Sequence, residues 1–323
     1  MPPKISILIT VYNAAAYLSV CLKSVQQQTF TDFEIICLND GSTDSSAEIL
    51  QRVAAQEPRL KIISQSNAGV AATRNRLLQE ARGEYIAFID ADDLVVPEYL
   101  EKLYEVAQTN RADITKCFFQ EISEDGLQVS AAHCGSLFYK EPSESLLSRF
   151  VCGYHDSVVW GKLFRRQWLQ DAAISFFDGR IAEDLPFVVQ AFMQARRIAV
   201  VKQPLYFYRK GLPSSITAQG QRMRIDQLKN LLDLCRILQE RNLWENETAS
   251  FWIKTVVWQI CAFRKLPAAQ RRQYLDLQQQ AFSSVEQVVC TSDWRIQMRW
   301  RGLFILVRLC GWRSVYVWTK IFR

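Results

Sequence analysis

The sequence predicts an α/β fold with a mostly parallel central sheet, followed by an α-helical C-terminal region. Three observations carry this expectation. Short apolar runs rich in β-branched residues alternate with amphipathic stretches of about a dozen residues, the pattern of βαβ units. The early apolar runs end in polar clusters, at Thr10–Asn13, Asn39–Asp44 and Asp90–Asp93. From Arg222 the strand pattern stops and helical spacing takes over.

Lys4 to Val11 reads as the first strand and ends at Tyr12-Asn13. Tyr17 to Gln28 places Leu18, Cys21, Leu22 and Val25 on one helical face. Phe33 to Leu38 is a second strand that runs into Asn39-Asp40-Gly41-Ser42-Thr43-Asp44. Thr43 or Asp44 suits the N-cap of a helix through Ala55. Leu60 to Ser64, a helix from Gly69 to Arg82, and a strand from Glu84 to Ile89 complete the alternation. In parallel sheets ligands bind beyond the carboxyl ends of the strands, and the three polar tips converge on that edge.

The stretch Tyr85 to Asp93 is the most informative: an apolar run that ends in three acids. Clustered carboxylates repel, and burial raises their cost, so a cation belongs among them. Hard oxygen ligands suit Mg²⁺ or Mn²⁺ shared with a phosphate-bearing substrate. A solvated turn capping the helix after Pro97 is the simpler alternative. Neither a Gly-x-Gly-x-x-Gly after the first strand nor a Walker loop is present, which disfavours a dinucleotide fold and implies an acid-lined, metal-containing nucleotide site.

The totals set bounds. With 323 residues and 49% hydrophobic content, the chain makes one large domain or two smaller ones with an ample core. Its nine cysteines form no Cys-x-x-Cys pair, and its two histidines, His133 and His155, lack metal-ligand spacing. Reduced thiols follow. The N-terminus runs directly into a strand, so no signal peptide is expected. No uncharged run reaches the ~18 residues of a membrane span. A cytoplasmic location, peripheral on the inner face of the plasma membrane, is the expectation.

The ordered set Thr10-Val11-Tyr12-Asn13, Asn39 to Asp44, Asn67-Ala68-Gly69 with Ala72-Thr73-Arg74-Asn75, and Asp90-Ala91-Asp92-Asp93 resembles glycosyltransferase family 2. The resemblance covers residues 4 to 215 and implies the GT-A fold. It also implies a nucleoside-diphosphate sugar donor, most often UDP-linked, Mg²⁺ or Mn²⁺, and inversion at the anomeric centre. By the same resemblance Thr10, Tyr12, Asn13, Asn67 and Ala91 line the nucleotide site, and Asp40 contacts the base. As a turn residue, Asp40 also suits a bond to its own backbone. Asp90 and Asp92 form the metal and ribose-diphosphate pair, with Asp92 the direct ligand and Asp93 orienting its neighbours. Arg74 and Asn75 either approach the diphosphate or stabilise the acidic tip; a surface Arg and a helix-face Asn are the plainer readings.

Further along, Pro97 to Thr109 reads as an amphipathic helix and Asp113 to Phe119 as a strand, and residues 120 to 150 show little periodicity. The latter suit acceptor-facing loops, with His133 at the surface. Trp160-Gly161-Lys162-Leu163 resembles a family Trp-Asn-Lys-Leu segment with Gly161 in place of Asn. Trp160 suits the core first and sugar stacking second. Glu183-Asp184 resembles the family's acidic pair, in which Asp184 is the general base and Glu183 its support. Acids there also favour the helix dipole. Val200 to Arg209 reads as a closing strand, and Tyr208-Arg209 with Ser215-Ile216 resembles a feature that closes over the donor. Arg209 suits pairing with the diphosphate.

In the C-terminal third, Ile225, Leu228, Leu231, Leu232, Cys235 and Leu238 share a helical face. Further helices are expected at 251–263 and 270–289. Trp294 to Arg323 holds seven Arg or Lys, four Trp and no acid. That composition suits an interfacial segment on anionic lipid; a tail packed on the catalytic domain is the alternative. No nucleic-acid motif is present. The expected organisation is a GT-A catalytic domain over 1–215, with a nucleotide-sugar half (1–95) and an acceptor half (96–215), then a helical region over 216–323 ending in the basic tail at 294–323. The expected activity is metal-dependent, inverting sugar transfer from a nucleotide donor to a glycan or lipid-linked acceptor in capsule, exopolysaccharide or lipopolysaccharide synthesis. A nucleotidyltransferase lacks its Gly-rich, Lys-containing loop here, and a non-catalytic scaffold sits poorly with the retained acids.

Overall fold

A computed structural model describes residues 2–126, 129, 145–212, 220–262, 274–292 and 297. The chain divides into two compact units, Met1–Ser143 with Cys152–Gln219, and Glu144–Val151 with Gly220–Arg323. The tail 294–323, His133 and Ser215-Ile216 lie outside the described residues apart from Gln297.

The first unit is built on an eight-stranded sheet. Strands β1 (Ile5–Val11), β2 (Phe33–Asp40), β3 (Leu60–Gln65) and β4 (Tyr85–Phe88) are joined by helices α1 (Ala15–Gln26), α2 (Ser46–Ala54) and α3 (Val70–Glu80). There follow β5 (Leu94–Val95), α4 (Tyr99–Asn110), β6 (Ile114–Ile122), β7 (Lys162–Arg165), α6 (Arg166–Asp171), α7 (Asp184–Gln194) and β8 (Ile198–Arg209); α5 (Leu146–His155) has its first six residues in the second unit and its last four in the first. The strand order is β3-β2-β1-β4-β7-β6-β8-β5. Pairings among β1 to β4 and between β6 and β8 are parallel, and those made by β5 and β7 are antiparallel. The expected α/β sheet, mostly parallel, is therefore present, with β7 and β5 as the two reversals. Both were illegible as strands because four and two residues, respectively, are too few to display a period.

Period-two alternation explains the two cores. Ile5, Ile7, Ile9, Ile35 and Cys37 face one way and pack with Leu18 and Leu22 of α1 and Leu100 and Leu103 of α4. Leu8, Ile36, Leu38 and Phe88 face the other way and pack with Leu77 of α3 and Phe187 and Phe192 of α7. Covering both faces is what makes a parallel sheet's strands near-continuously apolar. Gly83 is required where the chain enters β4: a Cβ there would sit 2.4 Å from the Ser6 nitrogen. Ser6, fully buried, answers that approach by accepting from Gly83 N at 2.8 Å.

The second unit contains, among the described residues, α8 (Gly220–Glu240), α9 (Asn246–Ala262) and α10 (Leu275–Thr291). Leu228, Leu231, Cys235 and Leu238 are buried as expected, joined by Leu234, whereas Leu232 is half-buried. Trp252 on α9 is fully buried and donates its indole N–H to Leu231 O at 2.8 Å. Among the described residues no helix is long and apolar enough to cross a membrane.

Candidate active site

The site lies at the carboxyl ends of β1, β2 and β4, where the strand tips hold one another. Asn13 has a positive φ of 48°, a conformation Asn tolerates better than most residues. Its Oδ1 accepts from Thr43 N at 2.8 Å, and its own N–H donates to Ser42 Oγ at 3.0 Å. Thr43 or Asp44 was expected as the N-cap. The helix starts at Ser46 with Ser45 at its N-cap position, and Asp44 instead accepts from Ala15 N at 2.9 Å and Ser46 N at 3.0 Å, tying the starts of α1 and α2. Thr10 lies beside Leu38 in the β1–β2 register. Tyr12 is 54% exposed, and Asn67 is exposed at the loop before α3.

Asp40 is buried, and both its oxygens are engaged. Oδ1 accepts from Ala68 N and Gln65 Nε2 at 2.8 Å, and Oδ2 from Gly69 N at 3.0 Å. It therefore shapes the loop 66–69, while Asn39 makes the local turn by accepting from Ser42 N.

The acidic tip has a division of labour. Asp93 is fully buried; Tyr206 Oη donates to its Oδ2 at 2.7 Å and Arg209 N to its Oδ1 at 2.8 Å. Tyr206 Oη also accepts from Asp90 N at 3.2 Å. Burial and the neighbouring Asp90 and Asp92 push the Asp93 carboxyl well up. Asp90 and Asp92 are half-buried, Ala91 between them is buried, and carboxylate oxygens of Asp90, Asp92 and Asp93 lie within 4.8 Å of one another. Asp92 is pushed up to about 6, chiefly by burial and then by Asp90. Two half-exposed hard-oxygen donors backed by a third, fully bonded acid fit a divalent cation that takes its remaining ligands from phosphate and water.

Arg74 joins this tip to a segment more than a hundred residues away. Arg74 is 4% exposed. Nη2 donates to Asp90 Oδ1 at 2.9 Å, and Nη1 donates to both Glu183 Oε1 and Asp184 Oδ1. Of its two expected roles, this geometry is that of stabilising the acids. Burial opposes its charge, but Asp184, Asp90 and Glu183 together hold it above its ordinary value. Asn75 does not approach the site: its amide brackets Phe176 and Asp178, donating at 3.0 Å and accepting from Phe176 N at 2.9 Å.

Glu183 and Asp184 open α7. Asp184 Oδ2 accepts from Val159 N at 3.3 Å. Burial pushes Asp184 up to about 8; Arg74 opposes this, and Glu183 and Asp90 add to it. Glu183 is raised by burial against the pull of Arg74.

Arg209 has partners other than an open cleft. Nε donates to Asp92 O at 2.8 Å, and Nη1 to Ser123 O at 3.2 Å and Glu124 O at 2.6 Å, while the guanidinium lies 5.1 Å from the Tyr17 ring centre. It clamps the acidic turn to the end of β6. Trp160 is buried, stacked on Tyr206 at 4.6 Å and Tyr208 at 5.2 Å, which is the core fate. Gly161 has φ +67°, so the exchange of Asn for Gly preserves a left-handed position that both residues accept. Gly161→Ala is expected to cost about 1–2 kcal/mol and Gly161→Asn clearly less, read from thermal melts; equal losses would contradict the conformational account.

Tyr206 was missed from sequence. Its signal was there: it precedes Tyr208 by two residues, so both occupy one face of β8.

Comparison with known proteins agrees with this geometry. The family model described as glycosyl transferase family 2 matches residues 6–172. EpsJ of Bacillus subtilis (strain 168), an uncharacterized glycosyltransferase, is 35% identical over 237 residues, covering 70% of this chain and 67% of EpsJ. The cholesterol galactosyltransferase of Borreliella burgdorferi is 32% identical over 267 residues, covering 77% of this chain and 73% of that one. The structure of S. aureus TarS 1–349 in complex with UDP-GlcNAc superposes with a TM-score of 0.76 at 22% identity, covering 99% of this chain and 92% of that one. The chain belongs to glycosyl transferase family 2. It has the GT-A fold and is a glycosyltransferase acting on nucleotide sugars.

Proposed function

We propose that the protein transfers a sugar, with inversion, from a UDP-sugar to a hydroxyl of a glycan or lipid-linked acceptor during assembly of a bacterial surface polysaccharide. The observation that carries this reading is Arg74, which gathers Asp90 of the acidic tip and Asp184 of α7 around one guanidinium. Leaving-group and base functions must lie close together in a single displacement.

In this reading Asp184 takes the acceptor proton as the hydroxyl attacks the anomeric carbon. A base pushed up to about 8 is matched to that task near neutral pH. Glu183 and Arg74 hold its carboxylate. Asp90 and Asp92 would hold Mn²⁺ or Mg²⁺, and Asp93 with Tyr206 and Arg209 fixes the turn that presents them. A divalent cation there would offset charge developing on the leaving diphosphate. The tips around Thr10, Tyr12, Asn13, Asp40 and Asn67 form the nucleotide side. The UDP-GlcNAc complex of TarS supports a UDP-linked donor, and the lipid acceptor in the name of the Borreliella relative supports a lipid-linked one.

Calorimetric titration of UDP with and without Mn²⁺ tests the donor side. Wild type is expected to bind in a metal-dependent way and Asp92→Ala to lose that dependence; equal binding by both would contradict the metal assignment. For the basic tail we propose contact with an anionic membrane surface at the cytoplasmic face. Each Lys or Arg near such a surface contributes about 1 kcal/mol. Deleting Trp294–Arg323 is therefore expected to abolish co-sedimentation with vesicles containing anionic lipid; unchanged partition would contradict it.

A further inference from the structure

Behind the candidate base lies a buried charge cluster that the reaction does not obviously need. Lys162 at the start of β7 and Lys116 on β6 are 2% and 1% exposed, and they share Asp156, itself 7% exposed. Each ammonium donates to one Asp156 oxygen at 2.9 Å. Two buried cations thus share one carboxylate, and a buried charge persists only where it is paired. The two lysines are not equivalent. Lys162 Nζ also donates to Val158 O at 2.7 Å.

That carbonyl belongs to the same peptide unit whose N–H, at Val159, donates to Asp184 Oδ2 at 3.3 Å. A peptide is planar and stiff, so fixing its oxygen fixes the direction of its N–H. A cationic donor on the carbonyl also polarises the unit and strengthens the N–H as a donor. Asp184 is thus held from two sides, by Arg74 and by this peptide. The Gly161 turn makes the arrangement possible: its left-handed φ of +67° turns the chain so that Trp160 packs on Tyr206 and Tyr208 while Lys162 enters the core.

We infer that Lys162 is a positioning residue for Asp184, acting through the Val158–Val159 peptide, with Lys116 as the counterweight that keeps Asp156 paired. The inference rests on Asp184 being the base.

The test compares Lys162→Met with Lys116→Met in the full-length enzyme. Either variant leaves one lysine donating to Asp156, so the carboxylate keeps a cationic partner and both are expected to fold. Lys162→Met is expected to lower kcat for transfer by about 10- to 100-fold, the scale of a small misplacement of a reacting group, with donor KM and UDP affinity unchanged. Its acid limb should move to higher pH, since the Val159 N–H favours the ionised carboxylate. Lys116→Met should melt like Lys162→Met and retain wild-type kcat and pH profile. Equal kcat losses in both variants would reduce the cluster to a fold anchor and overturn the inference. So would wild-type kcat in Lys162→Met, or a loss confined to KM. Should Lys162→Met not fold, Lys162→Gln, which keeps an N–H donor of shorter reach, carries the same expectations. Asp184→Asn run alongside separates the failures: full turnover there overturns the base itself, whereas loss there with wild-type Lys162→Met turnover overturns the positioning role alone.

Discussion

Asp184→Asn is expected to lower sugar transfer by about 10²- to 10⁴-fold, the usual contribution of a general base, while UDP affinity stays at the wild-type value. The amide keeps the shape of the side chain and still accepts a hydrogen bond, but it cannot take a proton. The pH dependence should change with it. Burial pushes Asp184 up to about 8 in the folded protein, and the base must be ionised to act. Wild-type kcat/KM is therefore expected to fall tenfold per pH unit below about pH 8. Stability carries the opposite sign. A carboxyl whose folded value is raised contributes stability below its ordinary value near 4, and that contribution is lost as pH rises through about 8. Asp184→Asn should remove this share of the decline. A steady-state rate profile and thermal melts over the same pH range check both; full turnover in the variant would contradict the base assignment.

Arg74→Met is expected to be the most destabilising single change in the site. Its guanidinium is buried, and it pairs at once with Asp90, Glu183 and Asp184. Removing one partner of a buried ion cluster strands the others, at a cost of about 3–5 kcal/mol, or a fall of roughly 10 °C in Tm for a unit of this size. The stranded groups are acids, so protonating them relieves the repulsion. The deficit against wild type should narrow as pH is lowered from 8 toward 5, before general acid unfolding begins. A melt equal to wild type, or a deficit that widens in acid, would show that the arginine does not neutralise this cluster.

Both effects come from residues whose positions were legible in the sequence to different degrees. The strand ends at Asn13, Asp40 and Asp90–Asp92 could be read because an apolar run stopping in polar residues has few explanations in a parallel sheet. Glu183-Asp184 could be read as the start of a helix. Their meeting at Arg74 could not, because α7 returns to the acidic tip through packing against α3 and β4, which no local period records. The partners of Arg209 and Asp40 were hidden for a related reason. Backbone carbonyls and N–H groups leave no mark in the sequence, yet they take up the side chains expected to meet the diphosphate and the base. Tyr206 was hidden in a run of aromatic residues whose alternation fits a packed strand just as well. β5 and β7 were too short to announce themselves.

The stereochemistry of the product tests the proposed single displacement most directly. The anomeric proton of the sugar can be followed by NMR during transfer from an α-linked UDP-sugar. One attack from the Asp184 side, opposite the leaving diphosphate, predicts a β-linked product from the first turnover. An α-linked product would require two displacements or a different face of attack, and would contradict Asp184 as the base.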